Sequence, residues 1–191
     1  MKPPLLIVAG AKGAVGTTVA AAVAGMKEKT ADVLPWLTTA HWIPFHALSG
    51  ITFAGWDTSD KSVIQSLDGQ AILPVEKYRD HAVFLDGLDI RLPPAPALPF
   101  REQVRLLDCD FRDFKAAWPD HHPVFINLLP ACEAHDLDKC RSLEEIYDVA
   151  QPFRFPDLPY AMAALQNGIP VVNFTSNRIE FPLMVDEAVR V

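Results

Sequence analysis

The chain has 191 residues, half of them apolar, and a formal net charge of -7. That length fits one large α/β domain. The acidic balance argues against a nucleic-acid-binding surface, which is ordinarily basic, and no apolar run reaches the roughly 18 residues that span a bilayer. Three cysteines (Cys109, Cys132, Cys140) with no C-x-x-C pair exclude a disulfide framework and a zinc knuckle and fit a reducing compartment. The chain opens into a strand with no secretory leader pattern. The expected location is therefore the cytoplasm, with neither nucleic acid nor membrane as a partner.

In chain order, Leu5-Leu6-Ile7-Val8-Ala9 has the composition of a buried strand. It runs into Gly10-Ala11-Lys12-Gly13-Ala14-Val15-Gly16-Thr17-Thr18 and then into a helix from about Ala14 to Met26. Strand, glycine-rich turn and helix in this order form an anion cradle. The glycines allow a tight turn and close backbone approach, and the helix N-terminus offers unpaired N–H donors with a partial positive charge. Two anion sites are built this way. A dinucleotide turn usually reads G-x-G-x-x-G, whereas here the glycines fall as G-x-x-G-x-x-G. A P-loop reads G-x-x-x-x-G-K-[ST]. The segment Lys12 to Thr18 is similar to the variant P-loop of the ParA/MinD ATPases, but Thr17 stands where the P-loop lysine belongs. Dinucleotide binding is thus favoured over nucleotide hydrolysis. A degenerate P-loop, or a turn that binds nothing, remains as an alternative.

Between Asp32 and Ala47 prolines interrupt the apolar residues, which reads as a loop or short helix. His41 and His46 there are too irregularly placed for a metal pair. Ile51-Thr52-Phe53 has β composition and leads to Gly55-Trp56-Asp57. In a parallel sheet beside the first strand, Asp57 falls next to the glycine turn, where a carboxylate accepts ribose hydroxyls. It is equally placed to cap a helix beginning near Ser59-Asp60. Lys61 to Leu67 reads as a short helix, and Ala71-Ile72-Leu73 and Val83-Phe84-Leu85 as short strands. The proline-rich Arg91 to Pro99 is an extended excursion. A further unit opens at Gln103, with a short helix over Asp110 to Lys115.

Pro123 to Pro130 is the best candidate for a central strand, with Asn127 near the end where ligands bind in parallel sheets. Ser142-Leu143-Glu144-Glu145 is a capping box opening a helix to about Ala150. Leu158 to Asn167 reads as a helix that stops at Gly168. Ile169 to Phe174 reads as a strand, Thr175-Ser176-Asn177 as a polar turn, and Pro182 to Arg190 as a helix. Alternating strands and helices predict a Rossmann-like, doubly wound α/β fold: a mostly parallel sheet with helices on both faces, in one domain over residues 1–191.

Taken together, three groups of residues resemble the myo-inositol-1-phosphate synthase family. They are the turn Gly10 to Gly16 with Thr17-Thr18, the run Gly55-Trp56-Asp57 with Ser59-Asp60, and Tyr160 to Leu165 followed by Gly168-Ile169-Pro170 and Asn173 to Asn177. The resemblance implies an NAD-binding Rossmann domain. Members of that family use NAD catalytically in the isomerisation of glucose 6-phosphate to inositol phosphate. It implies that Gly10, Lys12, Gly13, Ala14, Val15 and Gly16 hold the pyrophosphate, that Asp57 meets the adenosine ribose, and that Asn127 and Asn173 line the nicotinamide side. Family enzymes continue into a second domain that supplies catalytic lysines. This chain ends at Val191, so the expectation is a dinucleotide-binding portion that is catalytically incomplete alone, working as a homo-oligomer or with a second chain on a sugar phosphate. The other reading is a non-catalytic module that senses a nucleotide or holds a partner.

Overall fold

The computed structural model describes residues 2–27, 50–132, 137–150 and 154–190. The expectations for Asp32 to Ala47, including those for His41 and His46, lie outside the described residues. Among the described residues are five strands: β1 (Pro4–Ala9), β2 (Thr52–Trp56), β3 (Asp89–Arg91), β4 (His122–Asn127) and β5 (Val171–Asn173). The α-helices are α1 (Ala14–Lys27), α2 (Val63–Gln70), α3 (Ala82–Asp86), α4 (Phe100–Ala117), α5 (Leu143–Val149), α6 (Leu158–Gln166) and α7 (Pro182–Arg190). The strands form one sheet in the order β3-β2-β1-β4-β5, the order of the first five strands of a dinucleotide-binding Rossmann sheet. The fold is Rossmann-like α/β.

The chain divides into two compact units, Met1–Leu92 with Asp120–Pro123, and Pro93–Pro119 with Val124–Val191. In the first, β1 pairs in parallel with β2, and β2 with β3. The alternation that marks a half-exposed strand is absent from β2, all five residues of which are buried. Leu5, Ile7, Phe53, Leu67 and Leu85 are fully excluded from solvent or nearly so. Burying each such side chain contributes on the order of 1.5–3 kcal/mol. Gly55 sets the spacing of this pair of strands. Its φ is +154°, and a Cβ there would lie 2.0 Å from the Val8 carbonyl oxygen, so only glycine lets β2 run beside β1 in this register.

Helix α1 buries Gly16, Thr17, Ala20, Ala21 and Ala24, a stripe of small residues that lets its axis come close to its neighbours. Val15 is 58% exposed, on the face of the first turn that points away from this stripe. The helix at 63–70 begins at Ser62, not at Asp57. The Ser62 hydroxyl accepts the Gln65 N–H while Gln65 Oε1 accepts the Ser62 N–H, a complete capping box. Two short strands expected in this unit are absent. Residues 71–73 form no strand, and Val83-Phe84-Leu85 lies in α3. The third strand is Asp89–Arg91, where Arg91 Nε and Nη2 bond both carboxylate oxygens of Asp89 at 3.2 and 3.0 Å. Its charged ends hid it from a hydropathy reading.

In the second unit, α4 is one continuous helix of 18 residues. The sequence reading began the helix only at Asp110, after Asp108 and Cys109. Those residues fall away from the buried row Phe100, Val104, Leu107, Phe111 and Phe114, which recurs every three or four positions. The Phe111 ring meets Phe125 of β4 edge-on at 5.7 Å, and Phe125 stacks on Tyr160 of α6 at 6.0 Å. Ser142 caps α5 by accepting the Glu145 N–H, but Glu145 Oε2 takes the Arg141 N–H, so the reciprocal half of the expected box is redirected one residue back. Strands β4 and β5 are parallel and pair Phe125 with Val171, Ile126 with Val172 and Asn127 with Asn173. Among the described residues no helix is long and apolar enough to cross a membrane.

Candidate functional site

Two polar constellations stand at the carboxyl ends of strands, one in each unit. The first grows from the register of β1 and β2. Ala9 pairs with Trp56, so the next residues of each strand, Gly10 and Asp57, leave the sheet side by side. The Gly10 and Ala11 N–H groups both donate to the Trp56 carbonyl, at 3.0 and 3.1 Å, which folds the turn over the end of β2. Asp57 completes the fastening. One carboxylate oxygen accepts the Lys12 N–H at 2.7 Å and the other accepts the Ser59 N–H at 2.9 Å. A carboxylate has about four acceptor positions, so a ribose hydroxyl still finds a place on it.

Lys12 extends along the same edge, its Nζ donating to the Ser59 carbonyl at 2.8 Å. The ammonium therefore lies by the Asp57–Ser59 corner. The Gly13 N–H turns inward to the Gly10 carbonyl at 3.1 Å. The amides without an acceptor among the described residues are those of Ala14, Val15 and Gly16, the opening turn of α1, as helix geometry requires. Gly16 is what allows that turn to sit against the strand. A Cβ there would lie 2.5 Å from the Ala11 carbonyl oxygen and 2.6 Å from that of Gly10. Three amides left open at a helix N-terminus, after a turn in which Gly10 and Gly13 carry no side chain, fit a pyrophosphate.

Two further residues hold this turn, and no motif pointed to either role. Thr17 is wholly buried, and its hydroxyl lies 2.8 Å from Gln70 Oε1. Gln70, the last residue of α2, donates from Nε2 to the Lys12 carbonyl at 2.9 Å. Thr17 thus occupies the P-loop lysine position as a buried structural hydroxyl.

The second constellation joins the ends of β4 and β5. Asn127 is fully buried, and its Nδ2 donates to Asp157 Oδ2 at 2.9 Å and to Asn173 Oδ1 at 3.0 Å. The Leu129 N–H donates to Asn127 Oδ1 at 3.2 Å. Asn173 passes the chain on through Nδ2, to the Asn177 carbonyl at 2.8 Å and to Glu180 Oε1 at 3.1 Å. Asn177 in turn accepts the Cys132 N–H and donates to the Pro130 carbonyl. The structure therefore brings Asn127 and Asn173 together. It adds Asp157, 2% exposed at the head of α6, and Glu180. Neither acid was singled out from the sequence, and the only available signal for Asp157 was its place just before Leu158-Pro159, where an acidic residue often opens a helix.

A cavity of about 520 Å³ adjoins this network, walled by α6, β5 and α7, with Asn173 and Glu180 as its polar groups among apolar side chains such as Leu165, Ile169 and Met184. Burial pushes the Cys132 thiol above its ordinary range and the charge of Asp157 adds to the rise, against a smaller pull the other way from its own backbone hydrogen bond. No cluster of metal-ligating side chains occurs among the described residues.

No protein-family model and no curated protein matches this chain. Among solved structures the chain is similar to inositol-3-phosphate synthase from Caenorhabditis elegans, with a TM-score of 0.79 at 13% sequence identity. The alignment covers 99% of this chain and 47% of that one, so the chain spans about half the length of the enzyme it matches. The likeness is one of fold, and it falls on the family that the sequence motifs resemble.

Proposed function

We propose that this chain binds NAD through the glycine turn between β1 and α1, as a Rossmann domain of the inositol-phosphate synthase type. The observation that carries the reading is the fastening of that turn to Asp57, which sets a phosphate cradle and a ribose acceptor at one strand end. The amides of Ala14, Val15 and Gly16 take the pyrophosphate, with Gly10 and Gly13 keeping the turn open. Asp57 takes the adenosine ribose. Its charge disfavours the 2′-phosphate of NADP, while Lys12 partly offsets that repulsion from the Ser59 side.

Turnover of a sugar phosphate needs a general acid or base in reach of the substrate. In this reading the dinucleotide site does not supply those groups, and isomerase activity needs residues beyond it. The domain works in the cytoplasm. Calorimetric titration of the purified chain with NAD, NADP and Mg·ATP in parallel tests the proposal. Micromolar NAD binding, weaker NADP binding and no response to Mg·ATP are expected. Binding of Mg·ATP without NAD overturns the proposal in favour of a degenerate P-loop, and binding of none of the three overturns it in favour of a partner-holding module.

A further inference from the structure

We infer that Gln70 is a positioning residue of the glycine turn, a clamp that fixes the Lys12–Gly13 peptide in the orientation the dinucleotide meets. This rests on the proposed dinucleotide site. Gln70 lies far from the turn in sequence and belongs to another helix, yet both ends of its amide bond the turn or α1. Nε2 donates to the Lys12 carbonyl at 2.9 Å, and Oε1 lies 2.8 Å from the Thr17 hydroxyl.

The direction of each bond is settled by chemistry. A backbone carbonyl only accepts, so the amide nitrogen must face Lys12. The amide oxygen then faces Thr17, which must donate. The Thr17 hydroxyl has one proton to give. Its approaches to the Gly13 and Ala14 carbonyls at 3.0 and 3.3 Å are longer than the one to Gln70, so the proton goes to the amide. Gln70 thus bridges residue 12 on the near side of the turn and residue 17 in the first turns of α1.

The consequence for a ligand follows from the geometry of the peptide. The Lys12 carbonyl and the Gly13 N–H belong to one plane. With the carbonyl held by Gln70 and the Gly13 N–H bonded to the Gly10 carbonyl at 3.1 Å, that plane cannot turn. Freed from Gln70, it can rotate and direct the Lys12 carbonyl oxygen toward the cradle, where it repels a phosphate. Gln70 itself is held in place by the end of α2. Ala71 adopts a left-handed conformation (φ 50°) and returns its N–H to the Leu67 carbonyl, stopping the helix directly after Gln70.

The test compares wild type with Gln70→Ala and Gln70→Glu in three readouts: NAD affinity, adenosine affinity, and hydrogen exchange of the Gly13 amide without ligand. Gln70→Glu keeps an acceptor for Thr17 but presents no donor to Lys12. Both variants are expected to raise the NAD Kd by about tenfold, the effect of losing one well-placed hydrogen bond. Adenosine affinity stays within about twofold, and exchange at Gly13, whose N–H is bonded to the Gly10 carbonyl, accelerates. Unchanged exchange and unchanged NAD affinity in both variants overturn the inference. Equal losses for NAD and adenosine also overturn it, because the damage is then to the whole domain. If wild type itself binds no NAD, the proposed function fails, and faster or unchanged exchange in the variants still decides for or against the clamp.

Discussion

The carboxylate of Asp57 accepts the backbone N–H of Lys12 at 2.7 Å, tying the end of the second strand to the turn that follows the first. The bond makes Asp57 both a structural fastener and the ribose acceptor of the proposed site, and two substitutions separate these roles. Asp57→Ala strands the Lys12 and Ser59 amides and is expected to cost about 1–3 kcal/mol of stability along with NAD binding. Asp57→Asn retains one acceptor oxygen. It should melt closer to wild type while still losing most of its NAD affinity. Urea unfolding and calorimetry on the pair check this.

Glycines in this chain differ in what surrounds them, and the effects of alanine should differ in sign. Gly16→Ala drives a Cβ to within 2.5 Å of a backbone oxygen and should destabilise by about 1–3 kcal/mol. Gly69→Ala meets nothing within 4 Å and lies in α2, so it should stabilise by about 0.5–1 kcal/mol. Ala71→Gly, at a left-handed position, should stabilise by about 1 kcal/mol. Denaturant midpoints of the three variants order them directly.

Asn127 sits between a buried acid and a second amide, so its replacement by an acid has a pH signature. Asn127→Asp places two carboxylates at hydrogen-bond distance, and one of them must rise in pKa. The variant should lose roughly 3 kcal/mol near neutral pH. Because the raised group binds a proton in the folded state before it does in the unfolded chain, the loss should shrink as pH falls. Unfolding curves at about pH 7.5 and about pH 5 give the comparison.

Cys132 reports on the same network. With its thiol raised first by burial and then by the charge of Asp157, less thiolate is present at a given pH, and alkylation is slow. Exposed Cys109 should react first with iodoacetamide near pH 8. Asp157→Asn should accelerate Cys132 without changing Cys109. Mass spectrometry of timed aliquots resolves the two sites.

How far the sequence could be read depended on the kind of interaction involved. The strand, turn and helix at residues 4–27 were legible because their cause is local: apolar run, glycines, small residues. The end of β2 beside the turn could be placed because parallel strands align their carboxyl ends. Asp89–Arg91 was not legible as a strand, since its membership is set by pairing with β2 and its side chains carry opposite charges that satisfy each other. Helix α4 was read short because Asp108 and Asp110 interrupt the apolar residues along the sequence, while on the helix they fall outside the buried row. Gln70 and Asp157 were invisible for one reason. Each acts across tens of residues on a partner that only the folded chain brings near, and neither belongs to a spaced motif.

The most direct test of this account is a crystal structure of the chain grown with NAD. The account predicts pyrophosphate oxygens within hydrogen-bond distance of the Ala14, Val15 and Gly16 amides, and an adenosine ribose hydroxyl on Asp57. NAD bound away from the glycine turn, or a turn left empty at saturating NAD, would contradict it.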